Sequence, residues 1–342
     1  RPALCRHGGT IMKKPAKPAP TKISLADVAS AVLTRKITKD QMKDWFEIDP
    51  QASSAFSPAF KINYHAVDVG GLEKTAHTAG HTLAIEAQSA VQKNQHALRA
   101  PQNHAYPIIA EGDSWFSHPL NTTVIDVLQQ QGYDILNIAK AGDTIENMVG
   151  RPTYLGDLAK KTVKTFLFSG GGNDIIGNLE KVIELYDVAH PAPADAGWYI
   201  RPEFDDDLNV VKSYYQLLLT QIRSASPDTT LVVHGYAYAQ AQAHGVFIGS
   251  KFEERGFDLL NARQNALAQA IIKTMINRFN SFLKTFANSS NVEYVDFTGV
   301  VGKTDWFDEL HPNAATAKRM AKLYAPHLAA KIAAAPKSRR VA

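Results

Sequence analysis

The sequence predicts an α/β fold built on a mostly parallel sheet, preceded by a mainly helical section. Three observations carry this. From about residue 104, short apolar runs (PIIAEG, YDILNIA, TFLFSGGGND, TTLVVHGYAY, VEYVDF) alternate with segments of helical length, the pattern of a parallel sheet covered on both faces. The runs are nearly continuous in their apolar character, as strands buried on both sides must be. The 342 residues, 45% hydrophobic and 20% charged, provide a core for one large domain plus a smaller one.

In chain order, residues 1–22 are Pro- and Lys-rich without periodicity and read as a disordered leader. Cys5, the sole cysteine, lies there, so neither an intramolecular disulfide nor a Cys-based zinc site is expected. The leader lacks the apolar core of a secretory signal, and nowhere do about 18 apolar residues run together as a membrane span requires. A reducing compartment such as the cytoplasm fits this cysteine usage. Residues 23–103 form the helical section. Ser24 with Asp27 and Thr38 with Gln41 have capping-box spacing, opening one helix to about Leu33 and a second through Trp45 and Phe46, before Asp49-Pro50 ends the pair. Residues 51–71 read as an ordered connection and 72–98, rich in Ala and Gln, as a long helix. His77 and His81 share one face of it at metal-ligand spacing, but no Glu base or third ligand accompanies them, so a solvated or packed pair is expected.

The α/β region spans 104–333, with helices expected at 123–131, 144–158, 208–224 and 257–288 and an amphipathic one after His311; 334–342 read as a flexible basic tail. The irregular stretch 190–203 (HPAPADAGWYIRPE) reads either as a lid or pocket wall or as a plain surface loop. Formal charge is +4, from 37 basic and 33 acidic residues, partly in the tails. Without a basic stripe interleaved with aromatics, no nucleic-acid partner is expected.

Four turns carry chemistry. The run Ile108-Ile109-Ala110 stops on Gly112-Asp113-Ser114, placing a serine at a strand's carboxyl end, where ligands bind in open α/β sheets. A strand through Ile138 runs into Ala141-Gly142-Asp143, where a glycine lets a backbone N–H approach a ligand. After Ser169, three glycines lead into Asn173-Asp174; the Lys and Ser/Thr of a phosphate loop are absent, but the Asn173 amide is a candidate oxyanion donor. In DWFDELHPN, Asp308 stands three residues before His311, close enough to bond Nδ1 and leave Nε2 for a serine proton. Each turn alone also reads as a helix cap or loop. His234 reads as a hydrogen-bonded strand-end histidine, Asp113 and Asp174 as loop pins, and Trp306 as packing for the catalytic loop.

Taken in order, these blocks resemble the SGNH hydrolase superfamily, the GDSL-type serine esterases and lipases. Gly112-Asp113-Ser114 matches its first block, with Trp115 in place of the commoner leucine, a variant associated with a bacterial subgroup; Gly142 matches the second, Gly171 to Asp174 the third and Asp308 to Pro312 the last. The resemblance covers about 104–333 and implies a flavodoxin-like three-layer α/β/α sandwich, not the α/β-hydrolase fold, whose elbow needs glycine where Phe116 stands. It implies a carboxylic ester hydrolase with Ser114 as nucleophile, His311 as base and acid, Asp308 as its orienting partner, and an oxyanion hole from the N–H groups of Ser114 and Gly142 and the Asn173 side chain. No cofactor or metal is expected. The substrate is a small-molecule or glycan ester: small to medium acyl esters lead, with acetylated polysaccharide or peptidoglycan as the alternative. A non-catalytic scaffold acting through the N-terminal helices is the reading from another class, and those helices are also a candidate homo-oligomer contact.

Overall fold

Buried apolar side chains form two clusters, one built from residues 28–91 with Leu120 and a larger one running from Ile108 to Tyr324. The computed structural model describes residues 22–53, 59–71, 73–97 and 104–328; the leader through residue 21, with Cys5, and the basic tail lie outside them, as does the side chain of His77.

The smaller cluster is enclosed by β1 (Ile23–Ser24), α1 (Leu25–Leu33), α2 (Lys39–Trp45), β2 (Phe46–Ile48), β3 (Phe60–Ile62), β4 (Val67–Asp68) and α3 (Glu73–Ala97). Both anticipated caps form: Ser24 accepts from the Asp27 N–H, and Thr38 and Gln41 make a reciprocal box, satisfying amides that the helix leaves free. The two small sheets, β1 parallel to β4 and β2 antiparallel to β3, are additional to a mainly helical section. Strands of two or three residues are too short to show a period. His81 Nε2 lies 3.1 Å from Asp49 of the β2–β3 connection.

The larger cluster surrounds a sheet of β5 (Ile108–Gly112), β6 (Ile135–Asn137), β7 (Thr165–Ser169), β8 (Thr230–Gly235) and β9 (Val292–Asp296). The order is β6-β5-β7-β8-β9 and every pairing is parallel, the flavodoxin-like arrangement, whose switch point falls between β5 and β7. All residues of β5 and β7 are buried, because helices cover both faces in a three-layer sandwich. Those helices are α4 (Val124–Gln130), α5 (Ile145–Gly150), α6 (Leu155–Leu158), α7 (Gly172–Ile176), α8 (Leu179–Val182), α9 (Pro202–Ala225), α10 (Gly249–Glu254), α11 (Ala262–Phe286) and α12 (Ala314–Tyr324). Burying Phe166 and Phe168 alone contributes about 1.5–3 kcal/mol each.

The expected helix over 144–158 is two short ones. Pro152 cannot donate and holds Arg151 away from helical backbone, so α5 ends at Gly150. Conversely α9 begins earlier than expected, at Pro202, whose fixed φ suits a first helical position. The 190–203 stretch is a surface connection: the buried Tyr199 hydroxyl donates to the carbonyls of Asp187 and His190, and none of its residues walls the cleft described next.

Contacts among the described residues join the two clusters, and Ile48 packs against both. Lys39 and Lys43 of α2 donate to Asp126 of α4 and to Thr122 just before it, and Leu120 packs into the smaller core.

Candidate active site

At the switch point β5 ends on Gly112, pressed against β7. A Cβ at Gly112 would lie 2.6 Å from the Ser169 carbonyl oxygen, so only glycine fits. Asp113 then turns the chain. Its N–H donates to the Ser169 carbonyl, and its carboxylate accepts from the Trp115 N–H at 3.0 Å, the Ser169 hydroxyl at 2.7 Å and the Tyr236 hydroxyl at 2.5 Å. Burial pushes the Asp113 carboxyl up, and the Tyr236, Ser169 and Trp115 donors oppose that. The result is a rigid platform holding Ser114 at the cleft floor.

The last functional side chains come from the connection between β9 and α12. Asn313 caps α12 by accepting from the Thr316 N–H, Pro312 pairs with Trp306 across a narrow turn, and the Phe307 N–H donates to the His311 carbonyl at 2.7 Å. That turn folds Asp308 back on His311. The carboxylate accepts from the backbone N–H groups of Leu310 and His311, both at 2.8 Å, and faces imidazole Nδ1 at 2.7 and 2.9 Å. Nε2 of the same ring lies 2.7 Å from Ser114 Oγ. Burial disfavours the Asp308 charge, but the facing His311 outweighs it and holds the carboxyl down at about 2. An ionised Asp308 fixes the hydrogen on Nδ1, which leaves Nε2 as an acceptor for the serine O–H.

Asn173 stands in α7, after Gly171 has taken a left-handed turn (φ 91°). Its Nδ2 donates to the Asp143 carbonyl at 2.7 Å, and it walls the same cleft as Ser114 and His311. Gly142, with φ 77°, precedes Asp143 in the adjoining loop, which is tied to β5 by the Lys140 N–H donating to Gly112. Asp174 accepts from the Ile145 N–H at 3.0 Å and so fixes the start of α5 against α7. His234 is buried under the site, stacked on Trp115 at 5.6 Å; burial holds it neutral, down at about 3. Trp306 packs edge-on to Trp115 at 6.5 Å.

Two residues beside the site escaped sequence reasoning. His118 is buried with its ring 4.5 Å from that of His311, and Nδ1 accepts from the Leu120 N–H at 3.1 Å. Burial, then the neighbouring His311, push it well below the usual histidine range. A histidine in a loop carries no pattern that announces such packing. Glu309 is the other, and its contacts are all distant in sequence. Donor atoms of His118, Asp308 and His311 lie within 4.8 Å of one another, but they are already committed. Asp308 and His311 face each other, and the Leu120 N–H puts the hydrogen of a neutral His118 on Nε2, where a metal would have to bind.

The cleft above Ser114 is partly open to solvent, with walls from Ile175, Ile176, Ala237, Ala239, Ile276 and Leu310 and from the rings of Trp115, Tyr236 and Phe279. A nucleophile-sized hydroxyl, a hydrogen-bonded imidazole and an apolar recess together define an α/β/α-sandwich hydrolase. The GDSL-like lipase/acylhydrolase family model matches residues 109–319, more than half of the chain. The chain therefore belongs to the GDSL-like lipase/acylhydrolase family, within the SGNH hydrolases, and is a carboxylic ester hydrolase.

Similar solved structures include phospholipase A1 from Streptomyces albidoflavus (17% identity, 66% of this chain and 99% of that one, TM-score 0.41). An extracellular lipase from Streptomyces rimosus (14%, 65% and 97%, TM-score 0.42) and a family 3 carbohydrate esterase from Clostridium thermocellum (15%, 64% and 92%, TM-score 0.37) are also among them. No curated protein matches the sequence.

Proposed function

We propose that the chain is a serine carboxylesterase acting on small to medium acyl esters, with Ser114, His311 and Asp308 as its triad. The supporting observation is the continuous line from Asp308 through His311 to Ser114 Oγ, opening on a cleft with mainly apolar walls. Ser114 Oγ attacks the ester carbonyl carbon while its proton passes to His311 Nε2. The tetrahedral oxyanion is held by the N–H groups of Ser114 and Gly142 and by the second Nδ2 hydrogen of Asn173, the first being engaged by Asp143. His311 returns the proton to the leaving alkoxide, giving the alcohol and an acyl-Ser114. Water, deprotonated by His311, then cleaves the acyl bond and releases the carboxylic acid. Asp308 stays ionised throughout and stabilises the imidazolium.

Apolar walls whose aromatic members, Trp115, Tyr236 and Phe279, are buried favour an acyl chain over a sugar ring, which stacks best on exposed aromatic faces. The test is steady-state turnover of p-nitrophenyl acetate, butyrate and octanoate. Turnover that rises from acetate to butyrate supports the reading; deacetylation of an acetylated glycan with no turnover of any of the three simple esters contradicts it.

A further inference from the structure

Between β8 and α10 the chain makes a loop, residues 236–248, that the catalytic chemistry leaves unexplained. Its first half supplies Ala237 and Ala239 to the cleft wall, and its second half carries Phe247, whose ring meets the His311 ring edge-on at 6.0 Å. Little in the loop is regular, yet its far end converges on one side chain. Glu309 lies between Asp308 and Leu310 and is 3% exposed. Its carboxylate accepts from the backbone N–H groups of Gln242 (3.2 Å), Phe247 (2.6 Å), Ile248 (3.3 Å) and Gly249 (2.7 Å), while its own carbonyl accepts from the Gln240 N–H at 2.8 Å. The loop leaves room for nothing larger than glycine around this carboxylate. A Cβ at Gly245 would stand 2.1 Å from Glu309 Oε1, and one at Gly249 would stand 1.9 Å from the Gln242 carbonyl oxygen.

We propose that Glu309 is a positioning residue that sets the acyl-chain preference of this site, clamping the 240–249 loop onto the catalytic turn and so fixing the wall formed by Ala237 and Ala239. The inference rests on the proposed acyl-esterase reading. Its physical basis is that several converging N–H donors match an ionised carboxylate and nothing neutral of the same shape. Replacing it with an amide sets an NH2 donor against N–H donors at residues 242 and 247–249, contacts that the ties of Asn265 and Gln269 to the Ala241 carbonyl do not replace. The triad atoms are untouched, because Asp308 and His311 are held by their own turn.

Two readouts on Glu309→Gln and Gly245→Ala test this. The first is amide hydrogen exchange of the intact protein. The Phe247 and Gly249 amides should be protected in wild type and exchange at least about tenfold faster in both variants; unchanged protection overturns the clamp whatever the enzyme does with esters. The second is ester kinetics. For p-nitrophenyl octanoate KM should rise about tenfold or more in both variants, while kcat for the acetate stays within about threefold of wild type. The double variant should be little worse than either single one, since both break the same contact. An equal fall in kcat for acetate and octanoate at constant KM would instead assign Glu309 to the triad or to folding and overturn the proposal. If wild type turns over no ester but the exchange result holds, the acyl-esterase reading fails while the clamp stands.

Discussion

Glu111 is the penultimate residue of β5, three positions before Ser114, and its carboxyl is 4% exposed. Burial pushes it up from about 4.5 to about 8, with the Gly112 N–H opposing, Asp143 adding to the rise and Lys140 reducing it. The group is therefore neutral in the folded protein at pH 7 and ionised in the unfolded chain. Between about pH 4.5 and 8 the folded state binds the extra proton, so stability falls as pH rises through this window. The full gap corresponds to about 5 kcal/mol, a large share of the roughly 5–15 kcal/mol that hold a domain together. Glu111→Gln mimics the neutral form: its carbonyl still accepts from the Gly112 N–H, and nothing titrates. Urea unfolding of both proteins at pH 5, 7 and 9 should show the wild type losing about 4 kcal/mol more than the variant across the range. Asp174, which burial raises to about 6, lowers stability in the same direction in both proteins and cancels in the difference. Parallel curves for the two proteins would refute the reasoning, by showing Glu111 hydrated or paired in the fold.

Three other outcomes follow from the site. Asn173→Ala removes the side-chain donor that the cleft shares with Ser114 and should lower kcat by about two to three decades, or about 2.7–4 kcal/mol in the barrier; kcat within about threefold of wild type would remove it from the oxyanion hole. Asp308→Asn keeps an acceptor for the Leu310 and His311 N–H groups but reverses the imidazole tautomer, so kcat should fall about 10⁴-fold with a near-native melting temperature. Gly112→Ala drives a methyl to within 2.6 Å of the Ser169 carbonyl and 2.7 Å of its Cβ, and should cost about 1–3 kcal/mol in chemical denaturation along with most of the activity.

Much of this was legible in residue order. Strand ends at Gly112, Ser169 and Gly235 were marked by apolar runs stopping on glycine or polar residues, and the caps at Ser24 and Thr38 by a single spacing rule. Asp308 and His311 were legible as a pair because three residues of separation lets them meet within one turn. What escaped was non-local or too short. The β1–β4 and β2–β3 sheets rest on pairings of two or three residues between segments far apart in sequence. Glu309 reads as an unremarkable acid in Asp-Glu-Leu-His until the loop some sixty residues earlier folds over it. His118 became visible only once its loop had packed against His311.

The account's central claim is that Ser114 Oγ is the atom that takes the acyl group. Labelling the intact protein with a fluorophosphonate and locating the adduct by peptide mass spectrometry, alongside ester turnover by wild type and Ser114→Ala, tests it directly. The account predicts one adduct, on Ser114, and loss of both labelling and turnover in the variant. Turnover that persists in Ser114→Ala, or an adduct on another residue, would contradict it.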